Sequence, residues 1–395
     1  MLNSDTGAMI LPGATLGMLG GGQLGRMFVV AARTMGYRVL VVDPDADSPA
    51  GQIADIHLKA DYHDTDALAD IASLCAAVTT EFENIPASVL EQLAAQLPVR
   101  PGAMAVRIAQ DRIAEKSWLR DHGFATAPFA VIRTGDDLTE AVQQVGFPAI
   151  LKVARFGYDG KGQAVVLDAA QAASAFADFG GQTCILERRV ELQTELSVVL
   201  ARNACGQTAC FPVAENLHRN GILDISIAPA RIGQRLQDKA RQTALEIADQ
   251  LAYQGVLGVE FFITRDGSLL VNEMAPRPHN SGHYTLDACR TDQFQLQVRA
   301  LCNLPLGATE LHTPAVMVNL LGDLWQAGTP EWQEILRHPQ AKLHLYGKRD
   351  ARPGRKMGHF TCLAGTADAA LKLADIIRRQ LNFGRQPEHT HAELS

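Results

Sequence analysis

Apolar positions near the start of the chain come in short runs separated by one helical segment. Thr15–Leu19 reads as a strand, Gly20-Gly21-Gly22 as a turn, and Gln23–Met35 has helical spacing that stops at Gly36. Arg38–Val42 and Ala76–Thr79 are further short apolar strands. Strands alternating with helices predict a parallel sheet covered on both faces. The pattern changes after a helix at Asp111–His122, closed by Gly123 as C-cap. Strands are predicted at 149–154, 164–167, 183–187 and 196–201, then an amphipathic helix at Asp238–Leu251. A hairpin follows, Val256–Thr264 and Ser268–Glu273, with a helix at Asp292–Leu301. The last segment carries strands at 316–320 and 342–345 and ends in a helix, Asp368–Gln380. The reading is α/β and α+β. A Rossmann-like parallel-sheet domain spans 14–110, a larger domain 111–310 with a subdomain at about 124–190, and a small β-rich domain 311–385.

Length agrees with this division: 395 residues hold two or three domains of about 150 residues. Charge narrows the class. A net charge of −7 disfavours a nucleic-acid binder, so any phosphate site must concentrate its cations locally. The seven cysteines show no metal-binding spacing, and Cys75, Cys184 and Cys302 sit in apolar runs, as buried free thiols do. A reducing, cytoplasmic compartment is the expectation. No apolar stretch is long enough for a bilayer.

Three features carry chemistry. Gly20-x-Gly22-x-x-Gly25 lies between a strand and a helix, with Asp43 ending the next strand. Alone, this suggests a dinucleotide fold, but a tight strand-to-helix turn needs glycine whatever it binds. Gln23 stands at the same helix start, where backbone N–H groups favour an anion. Next, Lys152 lies in an apolar strand and is followed by Gly157-Tyr158-Asp159-Gly160-Lys161-Gly162-Gln163. Glycines at this density let backbone N–H groups approach phosphates, without the spacing of a Walker loop. Glu187, closing a later strand, and Glu195 are acids that ribose hydroxyls or water could equally engage.

The third feature is the hairpin. Taking Asp266-Gly267 as a two-residue turn, residue 264 faces 269 and Glu260 faces Glu273. Like charges directly opposite each other destabilise a ladder, so a hard cation with oxygen ligands is expected between them. Magnesium fits, with Asn272 as a neutral neighbour. A polar loop, Ala275-Pro276-Arg277-Pro278-His279-Asn280-Ser281-Gly282-His283, and a cationic cluster, Lys348 with Arg352-Pro353-Gly354-Arg355-Lys356, complete the candidate set. The cluster is the best phosphate site in an acidic chain.

Together the glycine loop, the segment 272–283, Arg352-Pro353-Gly354-Arg355-Lys356-Met357-Gly358-His359 and Gly22-Gln23-Leu24-Gly25-Arg26-Met27 resemble the 5-(carboxyamino)imidazole ribonucleotide synthetase family. This is an ATP-grasp family of purine biosynthesis, and the likeness runs over about 14–365. It implies an ATP-grasp fold between the other two domains and an ADP-forming ligase that is cytoplasmic and homodimeric. The implied reaction joins bicarbonate to the exocyclic amine of aminoimidazole ribonucleotide, using ATP and Mg2+, through carboxyphosphate.

Carried over, Arg112, Lys152, Gly157, Tyr158, Asp159, Gly160, Lys161, Gly162, Gln163, Glu187, Arg188, Arg189, Val190, Glu195, His218, Asn272 and Glu273 resemble ATP contacts. Glu260 and Glu273 resemble magnesium ligands, and Asp159, Lys161 and Arg277 catalytic groups. Gln23, Leu24, Glu81, Tyr158, His279, Asn280, Lys348 and Arg355 resemble ribonucleotide contacts. Competing expectations are another ATP-grasp ligase, such as a formate-dependent glycinamide ribonucleotide transformylase, and an NAD-dependent dehydrogenase built on the first domain.

Overall fold

The computed structural model describes residues 8–155, 157 and 162–381. Tyr158, Asp159, Gly160 and Lys161 lie outside the described residues. The first sheet is four-stranded. Thr15–Leu19 pairs in parallel with Arg38–Val42 on one side and Ala77–Thr80 on the other. Ile56–Leu58, too short and mixed to stand out by pattern, adds the far edge. Helix Gln23–Thr34 covers one face, and Phe28, Val29 and Ala32 on it are fully buried. The same core receives Phe294, Val298 and Leu301 from helix Gln293–Leu301 of the middle region. Each such side chain contributes about 1.5–3 kcal/mol on burial. The first domain is thus held to the second by an apolar seam.

The middle region holds two sheets. A four-stranded antiparallel sheet runs in the order Phe129–Ile132, Cys184–Arg188, Ala149–Val153, Gln163–Val166. Helices Asp137–Val145 and Ala169–Asp178 pack on it. The second sheet is nine-stranded, and the candidate metal hairpin, Gly255–Thr264 with Leu269–Ala275, forms one edge of it. Leu192–Arg202, Ala214–Arg219 and Ile222–Ala228 follow inward. The C-terminal strands continue the same ladder: Ala315–Leu321 pairs with Ile222–Ala228, then come Lys356–Leu363 and Ala341–Leu345. Strand Lys356–Leu363 begins inside the cationic cluster, which hid it from a polarity-based reading. Helix Gln234–Gln250 covers the hairpin end of the sheet, and Ala367–Gln380 covers its C-terminal part. Among the described residues no helix is long and apolar enough to cross a membrane. Cys75, Cys184 and Cys302 are buried free thiols, as their apolar surroundings predict.

The hairpin pairs as expected at its functional end, for a different reason. Glu260 faces Glu273, but Ile263 pairs with Leu269, where Thr264 was expected. The turn holds an extra residue. Thr264 accepts from the Gly267 amide at 2.8 Å, Thr264 N–H donates to Ser268, and Gly267 has φ +81°. This is the three-residue loop closed by a left-handed glycine, not the two-residue turn. A β-bulge between Glu260 and Phe261 then absorbs one residue, Asn272, on the opposite strand, which restores Glu273 to its place. Strict alternation would send Asn272 and Glu273 to opposite faces. The bulge breaks it, and both are partly exposed, after a regular alternation over Leu269, Leu270 and Val271.

Candidate active site

The helix after the first domain supplies charge from one face. Asp111 caps it, accepting from the amides of Ile113 and Ala114 at 2.9 and 3.2 Å. Arg112, Glu115 and Lys116 then share a face at helical spacing. Arg112 Nη1 lies 3.6 Å from Glu273 Oε2, and its Nη2 donates to the Gly157 carbonyl at 3.1 Å. One guanidinium therefore touches both the carboxylate hairpin and the first residue of the glycine loop. Gly162, at the loop's far end, has φ +70°, and a Cβ there would meet Val153 Cγ2 at 2.6 Å.

Lys152 does not reach solvent at an edge. It is buried, and its Nζ donates to Glu187 Oε2 at 3.0 Å. In the ladder Lys152 faces Ile185, so Glu187 is its diagonal neighbour on the same face. Lys116 Nζ approaches the same oxygen at 3.6 Å, with its side chain only 2% exposed. Burial alone would raise the Glu187 carboxyl, but Lys116 and Lys152 outweigh it and hold it down at about 2. Burial pushes Lys152 below its ordinary value, against the pull of Glu187. Two buried ammonium groups on one carboxylate leave positive charge to spare beside the glycine loop. Lys116 and Glu115 were missed in the sequence, which gave their helix and no role for its face. Their i, i+3 and i+4 spacing behind an N-cap was the available signal.

Burial and the nearby Glu273 together raise the Glu260 carboxyl. Asn272 Nδ2 reaches Glu260 Oε2 at 3.5 Å. Beneath them Glu115 accepts from the Met274 amide, and burial followed by Glu273 lifts its carboxyl to about 8. Two facing carboxylates with an amide beside them are oxygen donors that fit a hard cation such as magnesium. Nearby, His218 Nδ1 lies 2.6 Å from Glu195 Oε2. Desolvation lowers His218, yet Glu195 and the acids around it raise it to about 9.

The loop after the hairpin folds back onto the carboxylates. His279 Nε2 is 3.3 Å from Glu260 Oε1. Ser197 Oγ donates to Ser281 Oγ at 2.6 Å, which leaves the Ser281 hydroxyl hydrogen for His279 Nδ1 at 2.7 Å. The proton of the neutral ring then sits on Nε2, toward Glu260. Burial and Arg277 drive this histidine down to about 3, so it stays neutral. Gly258 permits the approach, since a Cβ there would meet His279 Cβ at 2.7 Å. Asn280 is buried, and its Oδ1 and Nδ2 have no hydrogen-bond partner among the described residues. Arg277 Nε donates to Glu83 Oε2 at 2.5 Å. Burial opposes ionisation of Glu83, but Arg277 prevails and holds it at about 2. Glu83 belongs to the first domain and was missed, because the contact joins residues 194 apart.

The first glycine motif is not a dinucleotide site. Gly21 N–H donates to Asp43 Oδ2 at 2.7 Å, and the Gly22 and Leu24 amides donate to Glu81. The chain's own carboxylates occupy the helix start that an incoming pyrophosphate would need. Gly22 is required because a Cβ there would stand 2.3 Å from Glu81 Oε1. Gln23 opens the helix and Leu24 is buried behind it. The cationic cluster comes to this same mouth. Arg349 pairs with Asp47, and Gly347 packs against Arg26. Lys348 Nζ donates to the Lys356 carbonyl at 2.7 Å, and Arg355 Nη1 to the Asp350 carbonyl at 2.9 Å. On the four-stranded antiparallel sheet, the Arg188 and Arg189 amides donate to the carbonyls of Pro128 and Pro148. The Arg188 guanidinium reaches the Phe147 carbonyl, and Val190 follows at the strand end.

A four-stranded antiparallel sheet carrying the buried Lys152, with Arg112 joining Gly157 to the carboxylate hairpin, defines an ATP-grasp ligase. Residues 117–294 match the ATP-grasp domain, 13–110 the ribonucleotide synthetase pre-ATP-grasp domain, and 315–373 the phosphoribosylaminoimidazole carboxylase C-terminal domain. The N5-carboxyaminoimidazole ribonucleotide synthase of Bacillus subtilis is 47% identical over 91% of this chain and 94% of its own. The synthase of Brucella melitensis is 45% identical over 89% and 96%. The ADP complex of the Staphylococcus aureus synthetase superposes with a TM-score of 0.88 at 36% identity, covering 94% of this chain and 98% of that one. The Aspergillus clavatus synthase, solved with ADP and 5-aminoimidazole ribonucleotide, gives 0.83 at 31% identity, covering 95% and 100%.

The chain belongs to the N5-carboxyaminoimidazole ribonucleotide synthase family. Its reaction is the ATP-dependent carboxylation of aminoimidazole ribonucleotide in purine biosynthesis.

Proposed function

We propose that the hairpin and the two loops divide this reaction between them. Glu260, Glu273 and Asn272 hold magnesium, which supplies Lewis-acid neutralisation of the polyphosphate. Arg112, Lys152 and the glycine loop, including Tyr158, Asp159, Gly160, Lys161, Gly162 and Gln163, take the phosphates. Glu187, Arg188, Arg189 and Val190 line the nucleoside side, with Glu195 and His218 beyond. A bicarbonate oxygen attacks the γ-phosphorus, ADP leaves, and carboxyphosphate forms. The substrate amine then attacks the carboxyl carbon, phosphate departs, and the amine loses a proton to Asp159. Lys161 and Arg277 steady the carboxyl oxygens. The intermediate hydrolyses readily, so exclusion of water by the four-stranded antiparallel sheet, acting as a lid, is part of the mechanism.

The acceptor lies between His279, Asn280 and the mouth of the first domain, at Gln23, Leu24 and Glu81. Lys348 and Arg355 grip its phosphate. The observation that carries this reading is the facing pair Glu260–Glu273, tied by Arg112 to the glycine loop and by His279 to the acceptor loop. Phosphate release is expected only with bicarbonate and aminoimidazole ribonucleotide together. Equal release with formate plus glycinamide ribonucleotide would overturn the acceptor assignment.

Arg355→Ala is expected to raise the KM for the ribonucleotide about 10-fold or more, the cost of a lost charged hydrogen bond of about 1.5–3 kcal/mol. The KM for ATP stays within a factor of about two, since RT ln 2 is only about 0.4 kcal/mol. A change confined to ATP would place the wrong phosphate at this residue.

A further inference from the structure

We propose that Asp287, His344 and His359 form a second metal site, taking a borderline divalent cation of the zinc class and separate from the carboxylate pair. His344 and His359 lie directly opposite each other on strands Ala341–Leu345 and Lys356–Leu363. Their rings are stacked, with centroids 4.5 Å apart and planes 13° apart. Asp287 enters from the short helix Thr285–Ala288, and its Oδ2 lies 2.8 Å from His344 Nε2. One ligand atom from each of the three residues falls within 4.8 Å of the others.

His359 is fully buried. Its Nδ1 meets Tyr346 Oη at 2.9 Å, while its Nε2 has no hydrogen-bond partner among the described residues. A buried imidazole nitrogen left unpaired needs an explanation, and a hydrogen bond on the other ring nitrogen is the usual support of a metal-ligating histidine. The neighbouring His283, its ring centroid 5.0 Å from that of His359, is excluded from the ligand set. Gln293 Oε1 accepts from the His279 amide, so its Nε2 is the amide donor and gives a hydrogen to His283 Nδ1 at 2.9 Å. The His283 proton is thereby placed on Nε2, which has no lone pair to offer.

Exposure provides an approach. The side chains of Asp287 and His344 are 11% and 31% exposed, so an ion reaches the buried His359 past them. Two imidazoles with one carboxylate suit zinc, iron or nickel, and not magnesium, which prefers oxygen. Parallel rings cannot both aim lone pairs at one ion. Binding therefore turns His344, the more exposed ring, out of the stack, and the ion replaces the hydrogen between His344 and Asp287. Zinc–nitrogen bonds are about 2.0–2.1 Å, so the donors close together as the ion enters. The result is a metal cross-link between the C-terminal strands and the helix that follows the acceptor loop.

The test is a calorimetric titration of the chelator-stripped full chain with Zn2+, in excess Mg2+ to occupy the carboxylate pair. One equivalent of Zn2+ is expected. Affinity should fall about 10-fold or more in His344→Ala and in Asp287→Ala, and stay unchanged in Glu260→Gln. Co2+ in place of Zn2+ should give visible d–d absorption that His344→Ala removes. Zinc binding unaffected by His344→Ala, or no binding at micromolar Zn2+, would overturn the site. Should His344→Ala fail to fold, the imidazole 15N resonances of the wild-type chain decide. Those of His344 and His359 must both move on adding Zn2+, and resonances that do not move overturn the site equally.

Discussion

Glu273→Ala should abolish ATP turnover, with kcat/KM for ATP falling by about 10³-fold or more. Three contacts fail together in this variant. The carboxylate opposite Glu260 is lost, so the proposed oxygen donor set for the cation is broken. Arg112 loses its 3.6 Å partner on the hairpin and keeps the Gly157 carbonyl. Glu115 loses the neighbouring charge that helps keep it protonated. The fold should persist, because the Glu273 side chain is 40% exposed and its strand is anchored by Leu269, Val271 and Met274. Steady-state phosphate release together with near-UV circular dichroism checks both halves. Near-normal turnover in a folded variant would remove the metal assignment.

Glu187→Ala should cost about 3–5 kcal/mol of stability, the penalty for leaving buried charge unpaired. Lys152 and Lys116 stand 3.0 and 3.6 Å from this one carboxylate, with side chains 10% and 2% exposed. Removing it leaves two ammonium groups facing each other in a dry sheet-to-helix seam. Urea unfolding measures the loss, and a change below about 1 kcal/mol would show that water or a counter-ion already serves the lysines. The acid limb gives a second readout. Lys116 and Lys152 depress the Glu187 carboxyl to about 2 in the fold, from an ordinary value of 4.5. A depressed carboxyl contributes stability above the unfolded value and loses it as pH falls through the folded one. In Glu187→Gln the stability curve should therefore be flatter between about pH 4.5 and pH 2.

The architecture was legible where periodicity is strong. The parallel first sheet, the Asp111-capped helix and the final helix follow from apolar spacing, and all three are present. The carboxylate pair was also legible, but through two compensating departures. The turn is one residue longer than Asp266-Gly267 implies, and Asn272 is absorbed in a bulge. Hairpin arithmetic cannot see either, because both depend on local twist. The glycine motif after the first strand misled in a different way. Its glycines make room for Glu81, and a packing requirement looks the same in sequence as a ligand requirement. What stayed hidden were groups whose meaning depends on distant partners. Glu83 becomes a site residue only when Arg277 arrives, and Lys116 only when Glu187 does.

The bulge at Asn272 also sets how the donors share their work. On a regular ladder, two donors from one strand of this face would stand two residues apart and be ordered separately. Here Asn272 and Glu273 share one peptide plane and lean to the same side. In the proposed metal site they would act as two teeth of a chelate. Once either touches a cation, the other is already at high effective concentration, and the second bond forms at little additional entropic cost.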